Sequence, residues 1–280
     1  MENTTFIVPL RIESHDRLRN VIVSTCYLLD NTDCKIIIQE VDTASTFAAT
    51  ASPQIKECVG DKTVRLHHVF EESKDPIFHR TKILNDMTMM ADTPVVVNYD
   101  CDILLPLTSY EESEKLIMDG TYDVVYPYGD GNWQYQVFAD DDLVSRFIND
   151  EYNFSILEKK SRIYDAKYGF CQFFNREKYI EGGLENENFI AYGYEDNERW
   201  YRFNTMGYNV GRLDAFVYHL EHARTANSWF TNPYIQQNKE FVQVQVKPKT
   251  KLSRGNLATF HRRAGAALTL LPYLSVMCNA

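Results

Sequence analysis

The sequence predicts an α/β protein built on an open, mostly parallel sheet flanked by helices. Three observations carry this. Short apolar runs at residues 6–10 (FIVPL), 35–39 (KIIIQ) and 94–98 (PVVVN) have the length of strands buried on both faces. Segments with apolar residues at helical spacing separate them. Acidic residues follow the second and third runs, as Glu40 with Asp42 and Asp100 with Asp102. Those are the carboxyl ends of the strands, where an open parallel sheet binds its ligands.

The first run is a strand that Pro9 ends, and Arg11 follows at once. Residues 14–29 form a helix, because Leu18, Val21, Ile22, Thr25, Leu28 and Leu29 recur at the 3.6-residue period. A polar turn at 30–33 leads into the second run. Strand, helix and parallel strand make one βαβ unit. Residues 43–60 are weakly helical, 64–70 a strand, 80–91 a helix and 94–98 the third buried strand. The second half is richer in aromatics and loops. It has strands at 123–128, 168–175 and 209–213, and a helix at 197–206 that Gly207 stops. The acidic run at 140–142 is a solvated turn.

Composition excludes several classes. Apolar residues make up 44% of the 280, enough to bury a core, which rules out wholesale disorder. Residues 1–240 carry a formal charge of −16 and the last 40 carry +6. An acidic body argues against nucleic-acid binding. The six cysteines show no metal or redox spacing, so free thiols in a reducing compartment are expected. No signal peptide and no long apolar span is visible, which points to a cytoplasmic, soluble protein. Residues 241–280 form an appendage. Its basic and then apolar stretch at 247–277 either packs as a terminal helix or attaches peripherally to anionic membrane.

Three clusters carry chemistry. Asp100-Cys101-Asp102 puts two carboxylates at i and i+2, on one side of an extended segment. They would repel unless a cation separated them or they had unequal tasks, and a hard divalent cation with oxygen ligands answers this. Glu195 and Asp196 open a helix after a loop holding Gly182, Gly183, Tyr192, Gly193 and Tyr194. Acids there satisfy the helix dipole, but two acids after a flexible aromatic loop also suit a general base. His219 and His222 lie three apart, and neutral imidazole is a common ligand for first-row metals.

In this order the clusters resemble the β-1,4-galactosyltransferase family of GT-A glycosyltransferases. Pro9-Leu10-Arg11 resembles the family's Pro-Phe-Arg turn. The run Phe78-His79-Arg80-Thr81-Lys82-Ile83-Leu84-Asn85 resembles its Phe-Asn-Arg-Ala-Lys-Leu-Leu-Asn helix start. Asp100-Cys101-Asp102 stands where the family has Asp-Val-Asp. Residues 183–196 resemble its Gly-Trp-Gly-Gly-Glu-Asp-Asp block, with Tyr192 in place of the tryptophan. His222 stands at the family's metal histidine and His219 at its metal-binding methionine.

The resemblance covers residues 5–235 and implies the GT-A (Rossmann-like) fold in residues 1–240. Residues 1–105 would be the nucleotide-sugar-binding half and 106–240 the acceptor-binding half. It also implies inverting transfer of a hexose from a nucleotide sugar, a UDP-sugar with Mn²⁺ or Mg²⁺, to a glycan or glycoconjugate hydroxyl. The metal would be held by Asp102, His219 and His222. Asp196 would be the general base, and Glu195 would hold the acceptor. Donor contacts would come from Pro9, Arg11, Phe78, Arg80, Lys82, Asp100, Cys101 and Tyr192, with Asp42 added from the end of the second strand. The alternatives are a retaining GT-A transferase and a binding module without catalysis.

Overall fold

In the computed structural model, which describes residues 1–246, β1 (Thr4–Leu10) is buried at all seven positions. A run with no charge can occupy a central strand covered on both faces. The strand does not end at Pro9, which stays paired beside Gln39 of β2. Pairing to β4 on the other side stops at Ile7, so the missing N–H falls beyond the reach of that neighbour.

Helix α1 (His15–Asn31) starts at Ser14, whose hydroxyl accepts a hydrogen bond from the Arg17 amide. β2 (Lys35–Asp42) runs parallel to β1 and extends past the expected Gln39. The weakly helical stretch resolves into one π-helical turn at Phe47–Ala51 and α2 (Ser52–Val59), with proline in its first turn. β3 (Leu66–Glu72), α3 (Arg80–Met90) and β4 (Val95–Tyr99) complete the parallel half.

The second half holds more regular structure than the sequence suggests. It runs through β5 (Ile103–Leu104), α4 (Leu107–Met118), β6 (Val124–Tyr126), β7 (Gly131–Val137), α5 (Asp141–Asn149) and α6 (Phe154–Glu158). It continues with β8 (Ser161–Ala166), β9 (Cys171–Asn175), α7 (Arg176–Glu181), α8 (Glu195–Thr205), β10 (Val210–Arg212), β11 (Val217–Leu220) and α9 (Ile235–Val246). The acidic run at 140–142 is a helix start, not a turn. The Asp140 carboxylate accepts from the Leu143 amide at 2.7 Å and caps α5.

Seven strands form the main sheet in the order β10-β6-β9-β4-β1-β2-β3, and only β9 runs against the others. A second sheet, β5-β11-β7-β8, leans on it. The larger core cluster runs from Phe6 through Tyr110 and Phe147 to Leu220, so residues before and after position 105 share one core. A smaller cluster fills the opposite face beneath α3, with Ile7, Ile37, Leu84 and Val96.

α9 crosses position 240, and Phe241 packs on Phe189 with ring centroids 5.9 Å apart. The start of the expected appendage therefore belongs to the packed body. The stretch at 247–277 and Cys278 lie outside the described residues. Among the described residues no helix is long and apolar enough to cross a membrane.

Candidate active site

β4 delivers Asp100 to the carboxyl edge of the main sheet, and a tight turn follows before β5. That turn parts the two acids, contrary to the same-side geometry of an extended segment. The Asp100 carboxylate accepts from Arg80 Nη2 at 2.6 Å. Asp102 is buried and faces the histidines. The antiparallel pairing of β5 with β11 sets Ile103 opposite His219, and the Leu220 amide donates to the Asp102 carbonyl at 2.8 Å. His219 Nε2 lies 3.8 Å from Asp102 Oδ1, and His222 Nε2 lies 3.0 Å from Oδ2. The three ligand atoms fall within 4.8 Å of one another.

Outer partners orient both rings. His222 Nδ1 donates to the Ala223 carbonyl, and His219 Nδ1 donates to Glu221 Oε1, each at 2.8 Å. A neutral imidazole with Nδ1 protonated presents a lone pair at Nε2. Two such lone pairs and a carboxylate then converge in a buried space. That arrangement is repulsive without a metal ion or protons between them, and it is the donor set of a first-row divalent metal. Burial works against ionisation of Asp102, but its contacts with His222, His219 and Arg17 outweigh it and hold the carboxyl well below its usual range. Burial likewise opposes ionisation of Glu221. Its bonds to His219 and Gln136 prevail and bring it to about 2.

The other side of the site is built by the loop into α8. Gly193 takes φ +107°, and a Cβ there would lie 2.6 Å from Ile235 Cδ1 on α9. Only glycine fits that conformation against that neighbour. The loop does not hang free. Asn232 Nδ2 donates to the Tyr192 carbonyl at 2.7 Å, and Asn238 Nδ2 donates to the Ile190 carbonyl at 3.0 Å.

Glu195 turns inward, its Oε2 accepting from the Gly193 amide at 2.9 Å. The Asp196 side chain is 26% exposed and the Glu195 side chain 6%, so Asp196 is the acid that the cleft can reach. Arg199 is fully buried and donates through Nη2 to Asp196 Oδ1 and through Nη1 to both oxygens of Glu185. Asp196 Oδ2 stays outside that clamp and lies over Gly169, where a Cβ would come within 3.2 Å of it. The next residue, Phe170, packs its ring on His219 at 5.8 Å. Arg80 bridges the other flank, from Asp100 to Glu195 Oε1 at 3.8 Å. The Gly169-Phe170 pair thus runs between Asp196 and His219, and Arg80 ties the residue before Cys101-Asp102 to the start of α8. A cleft of about 180 Å³ lies beside Asp196, with Tyr192, Gly193, Glu195 and Phe230 on its walls.

Burial and then the Asp196 charge push Glu195 up to about 7, against the pull of Arg80 and Arg199. Burial also raises Asp196, opposed by Arg199 and Arg80. For an acid whose folded value is raised, the folded state binds more protons than the unfolded chain, so stability falls as pH rises between 4.5 and about 7. Glu195→Gln removes the buried charge. The variant should gain a few degrees of Tm over wild type at pH 8 and nothing below pH 4.5, as read by thermal melts across that range (each kcal/mol is worth about 2–4 °C here). Equal gains at both pH values would refute this.

The remaining expected residues divide. Arg11 sits at the end of β1, with its guanidinium 5.5 Å from the Phe78 ring. It donates to the Val41 and Pro76 carbonyls, and its buried Nη2 has no partner among the described residues. Asp42 closes β2, its carboxylate accepting from the Thr43 amide at 2.7 Å. Pro9 is enclosed within β1. Two side chains lie apart from this arrangement. Lys82 is 53% exposed and pairs with Asp86 one turn along α3, at 2.8 Å, so it is not brought to the site. Burial pushes the Cys101 thiol up to about 12, and the side chain belongs to the core, leaving only its backbone at the turn.

Residues that the motifs missed are Arg199, Glu185, Glu221, Phe230 and Arg17, whose Nη2 lies 3.5 Å from His222 Nε2. The i, i+3 spacing of Asp196 and Arg199 was a usable signal. Glu221 lies between the two histidines in sequence, and the others depend on contacts between distant segments.

No protein-family model and no curated protein matches the chain. Solved structures do. S. aureus TarS with UDP-GlcNAc is similar at TM-score 0.55 and 11% identity, over 91% of this chain and 69% of that one. The mannosyltransferase PcManGT of Pyrobaculum calidifontis, with GDP-Man and Mn²⁺, is similar at TM-score 0.52 and 15% identity, over 99% and 79%. A mutant of Drosophila β1,4-galactosyltransferase 7 with manganese, UDP-Gal and xylobiose is similar at TM-score 0.50 and 14% identity, over 90% and 83%. With its mostly parallel sheet and the acidic turn after β4, this chain has the fold of the GT-A glycosyltransferases.

Proposed function

We propose that the chain is a metal-dependent inverting glycosyltransferase, which moves a sugar from a UDP-sugar to a hydroxyl of a glycan. The observation that carries this is a pair of features: the Asp102–His219–His222 cluster, and Asp196, whose Oδ2 lies outside the Arg199 clamp among the described residues. The similar structures hold nucleotide sugars, and two of them hold manganese, which agrees with the reading.

Asp102, His219 and His222 would hold the ion, and two imidazoles favour Mn²⁺ over the harder Mg²⁺. When bound, it supplies positive charge for the leaving diphosphate. Arg11 offers its unpartnered Nη2 to the nucleotide, and Phe78 beneath it supplies an apolar face. Arg80 holds the Asp100 carboxylate oriented for a ribose hydroxyl. Arg199 holds Asp196 Oδ1, so Oδ2 takes the proton as the acceptor oxygen attacks the anomeric carbon. One displacement inverts that carbon. Tyr192 and Phe230, with ring centroids 5.6 Å apart, shield the reacting bond from water. Glu195 braces the loop by accepting a hydrogen bond from the Gly193 amide.

Thermal-shift titration with UDP- and GDP-sugars, with and without Mn²⁺, tests the proposal. Ligand at 100 times its Kd stabilises the folded state by about 2.7 kcal/mol. A UDP-sugar together with Mn²⁺ should raise Tm more than either does alone. No shift with any nucleotide sugar would refute the reading.

A further inference from the structure

The second sheet carries a strip of residues that leads away from the metal-ligand cluster. His219 on β11 pairs with Gln136 on β7, and Gln136 pairs with Arg162 on β8. Partners in register share a face, so these three side chains stand in one row. Two inter-strand steps put Arg162 about 10 Å from His219. The row is bonded together. Arg162 Nε donates to Gln136 Oε1 at 2.6 Å, Gln136 Nε2 donates to Glu221 Oε1 at 2.7 Å, and Glu221 accepts from His219.

At the far end the Arg162 guanidinium lies 5.5 Å from the Phe138 ring and 5.7 Å from the Tyr164 ring. Both aromatic residues are half exposed, at 51% and 53%. Lys159 and Lys160 are exposed beside them, and the Lys160 carbonyl accepts from the Phe138 amide. Nearby acids are engaged elsewhere, Glu158 by the Tyr218 hydroxyl and Asp165 by Lys167. A basic patch therefore stands on a body with formal charge −16. Guarding an open sheet edge would explain the positive charges on β8. It does not explain two half-exposed rings around a guanidinium whose terminal nitrogens make no hydrogen bond among the described residues.

We infer that this strip is an acceptor subsite for a uronic acid, a pyranose bearing a carboxylate, adjoining the sugar that is glycosylated. The inference rests on the glycosyltransferase reading and names the substrate class of the same site. The rings offer faces for the C–H side of a pyranose. The guanidinium fork matches a carboxylate in two parallel hydrogen bonds, and the lysines add attraction at longer range. A neutral glycan would leave the fork and both lysines unused. An open-chain polyol phosphate has no ring for the aromatics.

Calorimetric titration of the full chain, in the presence of UDP and Mn²⁺, tests this with three probes: a glucuronate-containing tetrasaccharide, a neutral xylotetraose and a glycerol phosphate tetramer. The acidic tetrasaccharide should bind about tenfold more tightly than xylotetraose. Arg162→Gln should remove that advantage without weakening xylotetraose or UDP, and high salt should reduce it. Arg162 is exposed, so the variant keeps the fold, and its UDP binding reports that directly. Equal affinity for acidic and neutral probes, an unchanged Arg162→Gln, or preference for the glycerol phosphate tetramer would each overturn the subsite. Absence of UDP binding would instead overturn the glycosyltransferase reading beneath it.

Discussion

Asp196→Asn should reduce sugar transfer by about 10²–10⁴-fold while UDP and Mn²⁺ bind as they do in wild type. The size follows from the geometry. Arg199 donates to Oδ1, so the asparagine carbonyl oxygen takes that place and its amide nitrogen replaces Oδ2. A group that donates then stands where the acceptor hydroxyl needs one that accepts. The proposed metal ligands should be unaffected, because they lie on β11, just past its end and in the turn after β4. Single-turnover assays together with calorimetry of UDP and Mn²⁺ separate the outcomes. Lost metal binding would make Asp196 a ligand, and retained transfer would remove it as the base.

The second large effect concerns the metal-ligand cluster. Changing an outer partner of a metal ligand typically costs about 10–100-fold in affinity. Asp102→Asn removes a ligand and the only anion of the three, so it should cost more than that. His222→Ala should follow it, since Nε2 lies 3.0 Å from Asp102 while its Nδ1 is anchored to the Ala223 carbonyl. The loss of bound Mn²⁺, followed by electron paramagnetic resonance, reads this without any activity assay. Chelation should stop transfer in wild type. Wild-type Mn²⁺ affinity in Asp102→Asn would refute the assigned centre. His219→Ala tests the third ligand separately, because its Nε2 is farther away at 3.8 Å.

The parallel half was legible because its strands are buried on both faces. Such strands read as apolar runs, and no other segment competes with them. The second sheet was not read, although GNWQYQV alternates polar and aromatic residues along β7. Its partner β11 lies some eighty residues onward, and β8 is a mostly exposed edge with weak patterning. Lys82 lies apart from the other candidate residues for a local reason. The helix sets Asp86 one turn away, and that ion pair holds the lysine outside the site. Arg199 could be paired with Asp196 from spacing alone. Its burial on Glu185 depends on a loop that the sequence left open.

The sequence by itself determined the fold class, the three acidic and histidine clusters, and the order in which the chain meets them. Those features lie in short segments whose periodicity and composition act locally. Tertiary structure alone decided the division of labour: Asp100 to Arg80, Asp102 to the histidines, Glu195 inward and Asp196 toward the cleft. Each of those choices is set by burial and by charges from distant segments, and in a low-dielectric site these neighbours outweigh the residue's own chemistry.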